Sequence, residues 1–331
     1  MTTTAQSTIV PHEAETAGRR SSWRFKPRFS WRNMKIVIAV FLIGVALNYG
    51  VLGPMTHNID ANPEFKAALV QDNSSAAVAT AAALMDRELN LNGWTPNDPW
   101  FAPAGLLDNM PSFQTGVVNA VGRFSFEMLD QIGRRSGSSG ADPDLERASG
   151  FLQYPPYIWV WEPSRSFLPS VPSESQYRQG LAALERYNAR LGRGEAIFER
   201  RTDTLAQVLS RISDDLGSQT SQIDRAQNTG WWIFSRSADD VFYRNKGMLY
   251  GYDVILEALG DDFVKVIEEN NLSAIWAQTL TSLRQGSQLR PAIVLNGRTD
   301  RSIFANHLAL QGFAMKRAIL QLEELVTVLA I

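Results

Sequence analysis

Residues Ile36–Gly53 read IVIAVFLIGVALNYGVLG, and none of these 18 side chains is charged. A single α-helix of this length and composition can cross the hydrocarbon core of a bilayer. A cleaved signal peptide is disfavoured, because 35 residues precede the stretch and Ala46-Leu47-Asn48 is a poor cleavage site. A core helix of a soluble protein would carry a polar face. The stretch therefore predicts an uncleaved membrane anchor.

The tail before this stretch is basic, with seven Lys and Arg against two Glu in residues 1–35. Positive charge beside a span holds that end in the cytoplasm, so the large domain is predicted to lie across the membrane. Aromatic and basic side chains alternate just before the span. This composition also suits single-stranded nucleic acid, but its position favours contact with lipid headgroups. These predicted membrane-interface residues are Trp23, Arg24, Lys26, Arg28, Trp31, Arg32 and Lys35.

The sequence after the span predicts a mostly α fold. We divide the chain into a basic, largely disordered cytoplasmic tail (1–35), a transmembrane helix (36–53), a connector (54–75) and a helical-bundle-like extracytoplasmic domain (76–331). Apolar residues at helical spacing predict the helices of this domain. These helices cover about 76–91, 112–135, 173–226, 237–260, 261–270, 273–285 and 302–331.

The region 173–226 carries an apolar repeat every seven residues, which is typical of a coiled-coil seam. Gly192 and Gly194 interrupt it, so the sequence leaves open whether the region is one helix or two. We interpret the repeat as two arms of a helical bundle, because the seam is short and includes polar residues. A dimerising coil is the alternative.

An irregular segment rich in proline and aromatic residues, YPPYIWVWEPSRSFLPSVP, covers residues 154–172. Its five prolines exclude a helix. The segment is predicted to be either a short strand at IWVW or an extended lid over the helices. Tyr157, Trp159 and Trp161 are candidate ligand-binding residues for a sugar or a lipid. The alternative is that these rings seal the hydrophobic core.

A polar stripe is predicted along one face of the helix at 237–260. Phenols, an amine and carboxylates recur there by steps of three and four: Tyr243, Lys246, Tyr250, Asp253 and Glu257. Such a stripe is suited to binding a polar ligand or to supplying an acid and a base. The alternative is a network of structural ion pairs. Gly247 and Gly251, four residues apart, are predicted to let another helix approach closely.

Several classes of chemistry are excluded or unsupported by composition. The chain has no cysteine, which excludes disulfides and thiol catalysis. Its three histidines have no partner at ligand spacing, so no metal site is predicted. No catalytic or nucleotide-binding motif is present, so no catalytic residue and no cofactor is assigned. The net charge of −2 combined with a basic tail makes the remaining chain acidic, which argues against a nucleic-acid partner.

Two segments, YPPYIWVWEPS (154–164) and RNKGMLYGYDVI (244–255), resemble a family of bacterial single-span envelope proteins known only as a domain of unknown function. The resemblance implies an inner-membrane protein with a helical periplasmic domain, and it implies no activity. The expected role is a non-enzymatic interaction or scaffold module. The alternative is a ligand-binding or hydrolytic module that acts on cell-wall glycan or lipid. Expected partners are the bilayer and other envelope proteins, and the sequence leaves a homo-oligomer open.

Overall fold

The computed structural model describes residues 31–68, 71–103, 105, 107–135, 141–161, 167–229, 236–291, 294 and 306–331. Within these residues the chain is 73% helical and has no strand, in agreement with the mostly α fold expected. The helices are α1 (Trp31–Leu47), α2 (Gly53–Thr56), α3 (Ala76–Asp86), α4 (Asn109–Arg135), α5 (Pro143–Leu152), α6 (Ser173–Gly192), α7 (Thr202–Thr229), α8 (Arg236–Asp262), α9 (Val264–Glu269), α10 (Ser273–Ser287) and α11 (His307–Leu329). Single π-helical turns follow α1 at Asn48–Leu52 and α3 at Arg87–Leu91.

The chain forms two compact units, Met1–Gly44 and Val45–Ile331. In the described part of the chain, one continuous helix, Trp31–Thr56, is long and apolar enough to cross a membrane. Its apolar side chains are exposed, as Phe41 shows with 68% of its surface accessible. At its start the Lys35 ammonium lies 5.9 Å from the centre of the Trp31 ring.

The membrane-interface residues predicted from the sequence fall into two groups. Trp31, Arg32 and Lys35 form the exposed first turn of α1. The other four lie outside the described residues: Trp23, Arg24, Lys26 and Arg28.

Helix α8 is the centre of the second unit. It packs against α3, α4, α7, α10 and α11. Large side chains from different sides of α8, such as Phe242, Tyr252 and Leu259, are fully buried. Because nearly every side of α8 faces another helix, the polar stripe predicted on it lies inside the domain.

Glycines allow α4 and α8 to pack at very short distance. A Cβ atom added at Gly247 would lie 2.0 Å from the carbonyl oxygen of Phe113, and one added at Gly116 would lie 2.0 Å from the carbonyl oxygen of Arg244. Gly251 also faces α4. The close approach predicted at Gly247 and Gly251 is therefore confirmed.

The region 173–226 forms two helices, α6 and most of α7. The chain turns between them at Gly194, which has a φ of 73°, a left-handed value that glycine adopts without strain. The residues of the seven-residue repeat are buried within the chain: Leu184, Leu191, Phe198, Leu205 and Ile212. The repeat is thus part of the core of one chain, as the bundle interpretation predicts.

The start of α3 is held by the end of α8. Ser75 is the N-cap of α3, and its Oγ accepts a hydrogen bond from the Val78 N–H at 3.1 Å. The Asp262 carboxylate accepts bonds from the Ser75 hydroxyl at 2.7 Å and from the N–H groups of Ala76 and Ala77 at 3.0 Å each. These bonds satisfy N–H groups that a helix start leaves without partners.

Two elements differ from the sequence-based expectation. Helix α5 was not predicted, although Asp142 caps it by accepting bonds from the N–H groups of Asp144 and Leu145. The strand considered at 158–161 is not present in the structure. The prolines around it restrict ladder formation, and the Val160 carbonyl accepts one backbone bond from Ser170 at 2.8 Å.

Candidate functional site

Lys246, in the middle of the predicted stripe, is 3% exposed. Its ammonium donates to the carbonyl oxygens of Ser287, at 2.6 Å, and Leu289, at 2.7 Å. Ser287 is the last residue of α10, so Lys246 satisfies carbonyls that this helix end leaves open. Burial, and secondarily the charge of Arg290, lowers the pKa of Lys246 to about 8.

Asp253 and Glu257 share one partner, Arg284 of α10. Nε of Arg284 lies 3.1 Å from each carboxylate oxygen of Asp253, and its Nη2 donates to Glu257. Lys66 also forms an ion pair with Glu257, at 3.3 Å. Asp253 has no exposed surface. Burial raises its pKa to about 7, although the Arg284 charge acts in the opposite direction.

Tyr250 belongs to a separate buried network built on the π-helical turn after α3. Its hydroxyl accepts a hydrogen bond from Arg87 Nη1 at 2.9 Å. Arg87 also pairs with Glu88, at 2.7 Å, and stacks on the Phe65 ring at 4.7 Å. The remaining stripe residue, Tyr243, is half-buried, and burial raises the pKa of its phenol. Four of the five stripe residues therefore contact a partner from another element of the same chain.

The predicted aromatic residues occupy the surface. Tyr157 is 49% exposed and Trp161 is 50% exposed. Trp159 is partly buried, and its ring makes an edge contact with Phe101, with 5.9 Å between ring centres. In the same segment the Tyr154 ring packs against the core, and Ile158 is buried. The structure therefore shows a ring that covers the core at Tyr154, whereas Tyr157 and Trp161 face outward.

We call the exposed apolar region around these rings the aromatic surface. Its members come from two proline-rich segments, residues 93–105 (GWTPNDPWFAPAG) and residues 154–172. Each is at least 49% exposed: Trp100, Phe101, Tyr157, Trp161, Phe167 and Leu168. The candidates predicted from the sequence include two of these five rings, Tyr157 and Trp161. Trp100 and Phe101 were missed, because they lie more than 50 residues earlier in the chain.

A cavity of about 340 Å³, also missed from the sequence, lies between α4, α7, α8 and the segment around Tyr154. At its wall the Asp215 carboxylate accepts a hydrogen bond from the Tyr252 hydroxyl at 2.5 Å and one from Arg123 at 3.2 Å. The buried Oε1 of Gln219, which also lines the cavity, has no hydrogen-bond partner among the described residues. These groups suit a small polar ligand. They come from distant parts of the chain, so no local spacing reveals them.

A protein-family model matches residues 28–230 and 218–329, which together cover nearly the whole chain. The chain belongs to the DUF2333 family. This family is described as uncharacterised proteins conserved in bacteria. No curated protein and no solved structure matches the chain. Membership in DUF2333 therefore agrees with the resemblance noted in the sequence, and it assigns no reaction to the cavity or to the stripe.

In this DUF2333 protein, Lys246→Met is expected to lower the free energy of unfolding by roughly 1–3 kcal/mol, because two buried carbonyls lose their donor. The pKa of Lys246 is lower in the folded protein than in the unfolded chain. Its contribution to the free energy of unfolding therefore increases as the pH rises from about 8 towards 10. The Lys246→Met variant should not show this increase. Urea unfolding at several pH values measures both effects. Lys265→Met, at an exposed lysine, is the matched control. Equal stability of the two variants would contradict the capping role.

Proposed function

We propose that this protein is a membrane-anchored component of the bacterial cell envelope, with its N-terminus in the cytoplasm and its helical domain in the periplasm. Three observations support the anchor. The Trp31–Thr56 helix is apolar and exposed, a basic tail precedes it, and the family is bacterial. A basic flank on the cytoplasmic side of a span is the usual arrangement.

We further propose that the domain is a non-enzymatic interaction module. The observation that carries this proposal is the occupation of the polar stripe: Lys246, Tyr250, Asp253 and Glu257 each contact a partner from the same chain. Groups held in this way stabilise the packing of α8 and are not available as a free acid and base.

The proposed topology predicts the labelling of single-cysteine variants, which is straightforward because the chain has no cysteine. A membrane-impermeant maleimide should label Ser221→Cys, an exposed position in α7, in intact spheroplasts. The same reagent should label Ser7→Cys, in the tail, only after the membrane is permeabilised. Labelling of Ser7→Cys in intact spheroplasts, or a mature protein that lacks its first 53 residues, would contradict the topology.

The interaction role is tested by purification of the tagged protein from its own membranes, followed by quantitative mass spectrometry. We expect one protein partner at near-equal amount, which should remain bound to Tyr243→Phe, a variant that changes only the stripe hydroxyl. Purification without a partner would contradict the interaction role. Loss of the partner from a Tyr243→Phe protein that unfolds at the normal temperature would contradict the purely structural role of the stripe.

A second candidate function is binding of a cell-wall glycan or lipid fragment, and the cavity beside Arg123 supports it. An arginine, an unpaired amide oxygen on Gln219 and the Tyr154 ring offer hydrogen bonds and a stacking face to such a ligand. Saturable binding of a soluble glycan fragment to the wild-type protein, weakened by Gln219→Leu, would establish this function. Identical binding isotherms for the two proteins would exclude the cavity as the site.

A further inference from the structure

The two proline-rich segments that carry the aromatic surface are bonded to each other. The Trp94 indole N–H donates to the Pro156 carbonyl at 3.2 Å, and the Asn97 amide donates to the Ile158 carbonyl at 2.8 Å. The ring contact between Phe101 and Trp159 extends this link. The part of the surface formed by Trp100, Phe101 and Tyr157 therefore lies on segments that are bonded to each other.

Within the second unit, residues 48–53 at the end of the apolar stretch contact the segment that carries Trp100 and Phe101. Asn48 donates its side-chain amide to the Phe101 carbonyl at 3.1 Å, and the Tyr49 hydroxyl donates to the Trp100 carbonyl. A Cβ added at Gly53 would lie 3.0 Å from the Pro103 carbonyl oxygen. The last turns of the apolar stretch thus lie directly against residues 100–103.

This contact sets the depth of Trp100 and Phe101. At a rise of about 1.5 Å per residue, Asn48 lies roughly 7 Å before Gly53, where the apolar stretch ends. A helix that spans the bilayer with this stretch brings the backbone of residues 100–101 to the outer boundary of the hydrocarbon. The bonds also give Asn48 and Tyr49 partners at a depth where water is scarce.

The chemistry of the exposed side chains suits that depth. Trp and Tyr rings favour the headgroup region, because they combine an apolar body with a polar tip. Phe167 and Leu168 are 87% and 75% exposed, which is unusual for apolar side chains that face water. None of the six side chains of the aromatic surface is charged. A contact made by them depends on apolar burial and not on headgroup charge or ionic strength.

We propose that the aromatic surface is a second membrane contact, which inserts into the outer interface of the bilayer that the anchor crosses. The proposal rests on the membrane anchor proposed above. It assigns the aromatic surface to phospholipid and not to a protein partner, because the surface adjoins the end of the span. The domain is thereby held at a fixed height and tilt on the membrane.

The test uses the full-length protein in lipid nanodiscs, with an environment-sensitive fluorophore on single cysteines. Leu168→Cys reports on the aromatic surface, and Phe41→Cys reports on the anchor. Leu310→Cys, at a 55% exposed side chain of α11, is the matched control. We expect nitroxide-labelled lipids to quench the probes at 168 and 41 several-fold more strongly than the probe at 310. The quenching at 168 should be equal in neutral and anionic lipid and insensitive to salt.

The outcomes separate the two proposals. Lipid quenching at 41 together with control-like behaviour at 168 would overturn the membrane contact and leave the anchor in place. The membrane contact would also be overturned if neither aqueous iodide nor the labelled lipids quench the probe at 168. A protein would then cover the surface. Absence of lipid quenching at 41 would overturn the anchor, and the membrane contact with it.

Discussion

Gly247→Val is expected to prevent the domain from folding to its native packing. The first atom of any side chain at this position would lie 2.0 Å from the Phe113 carbonyl oxygen, far inside van der Waals contact. A backbone atom on a buried helix cannot move aside without separating α4 from α8, the central helix of the domain. We expect the free energy of unfolding to fall by at least about 4 kcal/mol, a loss seen only for exceptional substitutions.

Urea unfolding monitored by circular dichroism measures this loss, and Gly217 supplies the matched control. Gly217 also lies inside a long helix, α7, but a Cβ added there would meet no atom within 4 Å. Gly217→Ala should therefore raise stability by roughly 0.5–1 kcal/mol, because glycine is the more flexible residue in the unfolded chain. A Gly247→Val protein with near-normal stability would show that α4 and α8 are not in close contact.

Arg284→Met is expected to have the second largest effect. It removes the charged partner of Asp253, a carboxylate with no exposed surface. An unpaired buried charge costs about 3–5 kcal/mol. Asp253→Asn in the same protein should restore much of the loss, because the amide carries no charge. The double-mutant cycle formed by the two substitutions measures the coupling.

The effect of Arg284→Met depends on pH, with a sign that follows from the pKa of Asp253. Burial raises this pKa to about 7 in the folded protein, against about 3.9 in the unfolded chain. The folded state thus favours the protonated acid. The contribution of Asp253 to the free energy of unfolding is complete below about pH 4, and it is lost as the pH rises through 7. Without Arg284 the pKa rises further, and the loss continues to higher pH.

Unfolding at pH 5 and pH 8 therefore gives the clearest comparison for Arg284→Met. The deficit of the variant should be smaller at pH 5 than at pH 8. It should grow above pH 7 by up to about 1.4 kcal/mol per pH unit, because the folded wild-type protein releases the Asp253 proton there. Arg193→Met is the matched control, because Arg193 forms an exposed ion pair with Glu195. Such pairs contribute little to stability. An equal deficit of Arg284→Met at both pH values would mean that the Asp253 carboxylate is not the group left unpaired.

Much of the fold could be predicted from the sequence, because the spacing of apolar residues along a helix shows which of its faces is buried. The apolar stretch, the repeat through Leu184 and Leu205 and the glycine pair at 247 and 251 each have a local pattern with one dominant physical meaning. Helix α5 was missed although Asp142-Pro143 is a typical helix start. The helix is only ten residues long, and the sequence SGSSG (136–140) before it is typical of a loop.

The candidate site was harder to predict, because its partners are distant in sequence. The sequence around Lys246 does not indicate that its ammonium donates hydrogen bonds to carbonyls at the end of α10. The sequence around Asp253 is as consistent with a catalytic acid as with a structural ion pair. Only the structure shows that Arg284 pairs with this carboxylate. Asp215 and Gln219 are four residues apart on α7, but Arg123 comes from α4, so the sequence does not show that the three residues line one cavity.

The cap on α3 has a consequence for the order in which the chain folds. Ser75 and Asp262 are 187 residues apart, which takes roughly 10–40 s to synthesise at ordinary ribosome rates. An eleven-residue helix is marginal by itself. Helix α3 has its local Ser75 cap from the beginning, but it lacks the bonds to Asp262 until α8 has been made. The start of the domain therefore completes its native contacts only after most of the chain has been synthesised.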